Sequence, residues 1–416
     1  MSIKNIIDRI RTDFLQIFGN YFQQIASIIF GIIIAKSVTP EAYGIFGLAV
    51  LVANYLKFFN LGAQYTINKR LSIRNSSWLA YNYMAFNNFL YPIVIGLVLY
   101  IIYYFELIRL LDGYYIYIWL YLISENMSQL IQGVARAKGL SVELGRSRLI
   151  AGLSVFFLIV LYSGWKNVEN PTPLFIKWFI VPILSIIYFL FLPDTNRILI
   201  LPRLKRYKYL KYFIIEGIFL GLYVFLQDVL AGIDRIFIGK YYSTYDLGLY
   251  SFAYSINGPI LLALSTVMFM DYSRYMNKFR LSDSVSNSKI HLEILKKNLT
   301  IYLVFVFAGC IFSGLLLNLY LDEYKGAFKI LILLLIAYLP SMLSYSYSIY
   351  FIANGMYSYI MKILFISILL SLILDFLVAF FNLNFLYTIV VSFFIRLFIY
   401  VCLRNKYNRS NVCDNL

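Results

Sequence analysis

The chain has 416 residues, 61% hydrophobic and 13% charged, with mean hydropathy +0.76 and formal net charge +16. Soluble domains carry about 25% charged and under about 50% apolar residues. A chain this apolar cannot cover itself in water, so it is read as an all-α integral membrane protein. The positive charge, which in a soluble chain would point to nucleic acid, is assigned to basic loops on the cytoplasmic side, and no nucleic-acid partner is expected.

Lys4, Arg9 and Arg11 precede the first apolar segment. No small-residue cleavage site follows, so the segment is read as an uncleaved first span. A membrane helix needs about 20 apolar residues. Twelve stretches qualify: 14–36, 42–67, 80–105, 114–135, 149–165, 173–193, 212–239, 245–270, 299–320, 327–353, 357–381 and 384–403, with the first, second and seventh the least cleanly apolar. With the N-terminus inside, 26 of the 36 Lys and Arg fall in inner segments and seven in outer ones. The remaining three, Lys57, Arg235 and Arg396, lie inside spans. This alternation places both termini in the cytoplasm. The two longest polar stretches, 194–211 and 271–298, are inner and basic, so no extramembrane domain is expected. Aromatic residues at 19%, including 39 Tyr, suit belts at the membrane interfaces.

The chain repeats itself. "FGIIIAKSVTPEAYGIFGLA" (30–49) aligns with "DRIFIGKYYSTYDLGLYSFA" (234–253), pairing Lys36 with Lys240 and Gly44 with Gly248. The match extends inward, with Gln23 and Gln24 falling on Gln227 and Asp228, and Ala137–Gly139 echoes Ala353–Gly355 more weakly. Spans 1 and 2 thus map onto spans 7 and 8 in the same direction, a parallel repeat of the kind found in some transporters. The expected architecture is two pseudo-symmetric six-helix bundles, 1–200 and 201–416, around a central cavity that opens to alternate sides.

Gln16, Asn20, Gln23, Gln24 and Ser27 form one polar stripe on span 1. Lipid offers amides no hydrogen bonds, so the stripe faces either a wet cavity or a helix–helix hydrogen-bond seam. The acid on the matching face of span 7 favours the cavity. Charges at membrane depth are costly and mark function. They are Lys57, Glu125, Glu216, Asp228, Asp234, Arg235, Asp375 and Arg396. Asp228 and Arg235, seven apart, are expected on one face of span 7, with Glu216 toward its inner end and Asp234 toward its outer end. Asp375 is expected to pair with Arg396. Lys57, Arg235 and Arg396, with Gln16, Asn20, Gln23, Gln24 and Gln227, are the candidate substrate-cavity residues, since cations in a wet cavity attract phosphate. Asp228, Asp234, Glu216 and Glu125 are the candidate sites for a coupling H⁺ or Na⁺. No catalytic constellation, metal cluster or phosphate loop is present in the sequence, and Cys310, Cys402, Cys413 and His291 receive no role. The chain is read as a non-enzyme without cofactor.

"VTPEAYGIFGLA" followed by "FNLGAQYTINKRLS", and later "IDRIFIGKYYSTYDLGLYSFAYSI", resemble the first two and the seventh and eighth spans of Wzx-type polysaccharide flippases of the MOP superfamily. The resemblance extends to length, span number and half-repeat. It implies ion-coupled alternating access that moves an undecaprenyl-diphosphate-linked oligosaccharide, an O-antigen or related lipopolysaccharide repeat unit, to the outer leaflet of the bacterial inner membrane. A polysaccharide polymerase and a chain-length regulator are the implied partners beside the lipid-linked substrate and membrane lipids. Within the motifs, Asp234 matches the family pattern best. A multidrug or metabolite antiporter of the same superfamily and an O-antigen polymerase are the alternatives. The short outer loops count against the polymerase.

Overall fold

The computed structural model describes residues 3–63, 66–67, 78–106, 108–137, 140–162, 170–191, 207–270, 275–276, 278–279 and 284–413. The expected bundle boundary at 200/201 lies outside these residues, as do Lys138 and Gly139 of the weaker echo. So do the inner-loop cations Lys69, Arg70, Arg74, Arg197, Arg203, Lys205, Arg206, Arg274 and Arg280, and the outer Lys166.

Among the described residues the chain is helical throughout. The helices are α1 (Ile3–Ala35), α2 (Pro40–Leu56), α3 (Trp78–Tyr104), α4 (Tyr115–Ala137), α5 (Ser141–Tyr162), α6 (Thr172–Leu190), α7 (Tyr207–Leu230), α8 (Ile233–Tyr241), α9 (Thr244–Met270), α10 (Ser284–Tyr320), α11 (Gly326–Ala353), α12 (Tyr357–Phe380) and α13 (Leu386–Cys413). Nine of these are long and apolar enough to cross a membrane, and ten when α7 and α8 count as one bent span. Outside that set stand α4 and α9, rather than the first two spans. In α4 the reason is chemical: Glu125, Asn126, Ser128, Gln129 and Gln132 occupy successive turns.

Three expectations are corrected. The seventh span is not one helix but two, α7 and α8, meeting at 42° around Ala231–Gly232. The fifth span starts at Ser141 rather than 149, which brings Arg146 and Arg148 out of the loop and into α5. Residues 284–298, expected as polar loop, are the first turns of α10. This amphipathic extension is tied to the preceding segment by Lys278 and Glu293, 3.0 Å apart.

The repeat is visible in local chemistry. Thr39 caps α2 by accepting from the Ala42 N–H at 3.4 Å, and Ser243 caps α9 by accepting from the Asp246 N–H at 3.0 Å. Both hydroxyls satisfy an otherwise orphaned helix donor at matched positions of the two copies. In the second cap Ser243 also donates to the Asp246 carboxylate at 2.6 Å.

The chain divides into two compact units, 1–225 and 226–416. In the first, α1 packs most extensively on α5. Glycine permits that approach: a Cβ on Gly19 would collide with the Gly145 carbonyl, and one on Gly152 would stand 2.6 Å from the Phe22 ring. A second close approach joins α7 to the turn after α2. There Leu61 (φ 53°) and Gly62 (φ +67°) are both left-handed, and a Cβ on Gly62 would strike the Gly217 carbonyl. The rings of Phe58 and Phe225, 4.7 Å apart, extend the same contact. In the second unit α11 is central, packing on α13, α9 and α10. Outward faces are apolar. Phe307 on α10 is 70% exposed and Phe157 on α5 65% exposed, as suits surfaces whose solvent is lipid. In the turn between α10 and α11, the charge and hydrogen bond of Lys325 hold the Asp322 carboxyl below its usual range.

Overpacking a tight site costs about 1–3 kcal/mol. Gly19→Leu is therefore expected to lower the apparent melting temperature in detergent and the yield of monodisperse protein. Gly258→Ala, facing open space, should leave both unchanged; fluorescence-detected size exclusion after a heat step reads the difference.

Candidate functional site

Two polar networks form inside the first unit. The first starts where α2 ends. Lys57 opens a 3₁₀ turn, Lys57–Asn60, and its Nζ donates to Asn54 Oδ1 at 3.1 Å and lies 5.4 Å from the centre of the Tyr121 ring. Tyr121 stacks on Trp178 with centroids 3.6 Å apart, so the ammonium stands over an aromatic platform. Glu125, one turn along α4 from Tyr121, accepts from Gln129 Nε2 at 2.6 Å. Beneath them Asn60, Asn87 and Asn126 form a closed ring. Asn60 Nδ2 donates to Asn126 Oδ1, Asn126 Nδ2 to Asn87 Oδ1 at 3.1 Å, and Asn87 Nδ2 to the Asn60 carbonyl at 3.1 Å. Asn60 Oδ1 also accepts the Ala63 N–H at 2.9 Å. The ring locks the 3₁₀ turn to α3 and α4 and so fixes where Lys57 stands.

The second network is centred on Arg148 of α5. Its guanidinium donates to Gln23 Oε1 of α1 at 2.9 Å and to Gln132 Oε1 of α4 at 2.5 Å. Gln132 in turn donates to Ser128 Oγ at 2.9 Å. Gln23 is buried, whereas Asn20 is exposed and Gln24 half-buried. The stripe on the first span is therefore split, and Gln23 belongs to a helix–helix seam. Gln16 lies on α1, but its side chain is outside the described residues.

The second unit holds a charge cluster. Asp234 sits in the first turn of α8, where the helix N-terminus favours a carboxylate. Its Oδ1 accepts the Arg235 N–H at 2.9 Å and its Oδ2 accepts the Tyr250 hydroxyl of α9. Arg235 lies over the Tyr254 ring at 4.1 Å, and Arg396 of α13 over the Tyr338 ring at 3.8 Å. Tyr254 and Tyr338 adjoin each other, and both guanidiniums act on the Asp234 carboxylate. Asp375 of α12 is near enough to feel the charge of Asp234. It accepts from Ser371 Oγ at 3.1 Å through Oδ2, while its Oδ1 is buried without a hydrogen-bond partner. Asp234, Arg235, Asp375 and Arg396 are each at most 6% exposed. Two acids and two arginines thus share one buried region, with tyrosine faces between the cations.

This geometry corrects two expectations. The break at Ala231–Gly232 separates Asp228 from Arg235, which stand on different helices; Asp228 is half-buried and Gln227 exposed, while Arg235 is buried with its guanidinium over the Tyr254 ring. Asp234, expected toward the outer end of the seventh span, is buried in the first turn of α8. Asp375 and Arg396 form no ion pair; each has a different neighbour. The side chain of Glu216 is outside the described residues. Residues missed from sequence include Arg148, which loop counting concealed. Also missed were the asparagines, whose signal was present as polar residues in successive turns of α4, and the tyrosines, which carry no signal in a chain with 39 of them. Among the described residues no group of three or more His, Cys, Asp or Glu gathers to hold a metal.

Solved structures give the comparison. The chain superposes on the lipid II flippase MurJ in an inward closed conformation with a TM-score of 0.68 at 12% identity, covering 96% of this chain and 90% of the other. The fold is that of the MOP-superfamily transporters. An outward-facing multidrug-resistance MATE transporter matches at 0.62 with 12% identity, covering 98% and 95%. A MOP-superfamily transporter from Pyrococcus furiosus matches at 0.58 with 13% identity, covering 98% and 96%. These three matched proteins are a flippase and two transporters. No family model and no curated relative matches the chain.

Removing one partner from a buried polar network leaves the others unpaired at about 1–3 kcal/mol each. Asn126→Leu is accordingly expected to destabilise the first unit by roughly that amount or more, seen as easier proteolysis and a lower unfolding temperature in detergent. Asn88→Leu, at the edge of the ring with one 3.4 Å contact to Asn126, should have a much smaller effect.

Proposed function

We propose that the chain is a flippase that moves an undecaprenyl-diphosphate-linked oligosaccharide, an O-antigen or related repeat unit, from the cytoplasmic to the outer leaflet. The observation that carries this reading is the whole-length likeness to a lipid II flippase, taken with the flippase-like motifs at 38–49, 59–72 and 233–256. The 26-to-7 loop asymmetry supports a bacterial cytoplasmic membrane location with both termini inside. Lys57 on its aromatic platform is the group in the first unit best suited to a phosphate-bearing substrate, since an ammonium can bind phosphate as a point charge. A polysaccharide polymerase and a chain-length regulator are the partners this role calls for.

Translocation is coupled to an ion through the second unit. Asp375 Oδ1 is a buried acceptor without a protein partner, and a carboxylate in that setting is relieved by a proton or a Na⁺. Asp234 is already bonded at both oxygens, so charge relief at Asp375 alters the field on Asp234 and on the arginines around it. Ligand-dependent movement requires such differential stabilisation of two states.

Deleting the gene is expected to accumulate lipid-linked repeat units in the inner leaflet. Their appearance outside as unpolymerised single units would favour the polymerase, and a change in drug sensitivity with normal polysaccharide would favour the antiporter. In vesicles carrying a labelled lipid-linked oligosaccharide, an imposed H⁺ or Na⁺ gradient should accelerate translocation. Asp375→Asn should remove the gradient response, a loss of about tenfold or more, equivalent to about 1.4 kcal/mol of coupling, while the protein still reaches the membrane. Gradient-driven flipping at the wild-type rate in that variant contradicts the coupling site.

A further inference from the structure

A groove of about 600 Å³ lies between the C-terminal third of α3 and the start of α4. Its walls include Tyr100, Tyr103, Tyr115 and Trp119, and its floor opens where Gly96 carries no side chain. A Cβ there would stand 3.3 Å from Trp119 Nε1. The volume falls within the range of about 300–1,000 Å³ that holds small ligands. The same stretch of α3 exposes Ile93, Leu97 and Ile101, so the groove is continuous with the lipid-facing surface.

The two polar tips at the α4 wall are committed. Trp119 Nε1 donates to the Pro92 carbonyl at 3.0 Å, and the Tyr115 hydroxyl donates to the Ile108 carbonyl at 2.9 Å. The groove therefore offers ring faces rather than donors, which suits a hydrocarbon chain and not a sugar. The turn that joins α3 to α4, which contributes Gly113 to the lining, carries both signs of charge. Arg109 and Glu106 stand 2.5 Å apart and largely exposed on the turn between the helices. Asp112, beside Gly113 of the lining, acts electrostatically on Tyr115. Arg109 has five N–H donors, so it can serve a phosphate while bonded to Glu106, leaving Asp112 for an ammonium.

We propose that this groove is a binding site for one zwitterionic phospholipid of the phosphatidylethanolamine type. Its chain lies along Gly96 and Trp119, its phosphate at Arg109 and its ammonium at Asp112. The aromatic rim sits where interfacial tyrosine and tryptophan meet headgroups.

The test uses the full chain with Trp78, Trp165 and Trp178 replaced by Phe, leaving Trp119 of the four tryptophans. It is reconstituted with dibrominated phosphatidylethanolamine as minority lipid in phosphatidylglycerol, and then with the labels reversed. Quenching of Trp119 by the minority zwitterionic lipid is expected to exceed that by the minority anionic lipid by about threefold, in the range of exposed charge interactions. Arg109→Gln with Asp112→Asn should make the two equal. Equal quenching in the parent overturns the site. So does the same preference at a tryptophan placed by Phe157→Trp on the bare lipid face of α5. Native mass spectrometry of the wild-type chain, free of tryptophan substitutions, should retain phosphatidylethanolamine over phosphatidylglycerol, and retention without preference overturns the proposal as well.

Discussion

In hydrocarbon no solvent stands ready to bond a stray amide or carboxylate, and each polar side chain carried across the membrane has to find its partner within the protein. Much of the structure is an answer to that constraint. Asn60, Asn87 and Asn126 close a ring around a 3₁₀ turn, Arg148 bridges α1, α4 and α5 through two glutamines, and Asp234 is held by Tyr250 and its own helix terminus. Because these bonds are hard to replace, they fix position as well as contributing stability. The ring sets where Lys57 stands, and the Tyr250 bond sets where the α8 terminus meets α9.

The two copies of the repeat meet the constraint differently. Matched caps at Thr39 and Ser243 start the second helix of each copy at the same register. At the paired positions 30 and 234, however, the first unit buries Phe30 and the second buries Asp234. Tyr250 stands where the first copy has Phe46, and supplies the hydroxyl that an acid requires. The first unit is thus stabilised by neutral amides around single cations, and the second by acids and arginines in one region.

Asp375 marks the place where satisfaction is incomplete. A buried carboxylate oxygen without a partner is expensive, and tertiary structure retains it although Ser371 already bonds the other oxygen. Arg396 does not quench it, being held over Tyr338 instead. An acid kept short of a partner and near a second acid is relieved when a cation or proton arrives.

Composition, loop charge and the 204-residue repeat were enough to establish a helical membrane chain of about twelve spans with internal duplication, because hydropathy and cation asymmetry act locally and sum along the sequence. The same reading named Lys57, Asp234, Arg235 and Arg396 as charges that have to be accommodated. Which of them meet was decided only by packing. The break at Gly232 put Arg235 and Asp228 on different helices, the early start of α5 moved Arg148 from loop to seam, and the two arginines of the second unit came to lie over tyrosine rings. Those outcomes depend on distances between residues as far as 161 positions apart, such as Arg235 and Arg396, and no period or count along one strand of sequence carries that information.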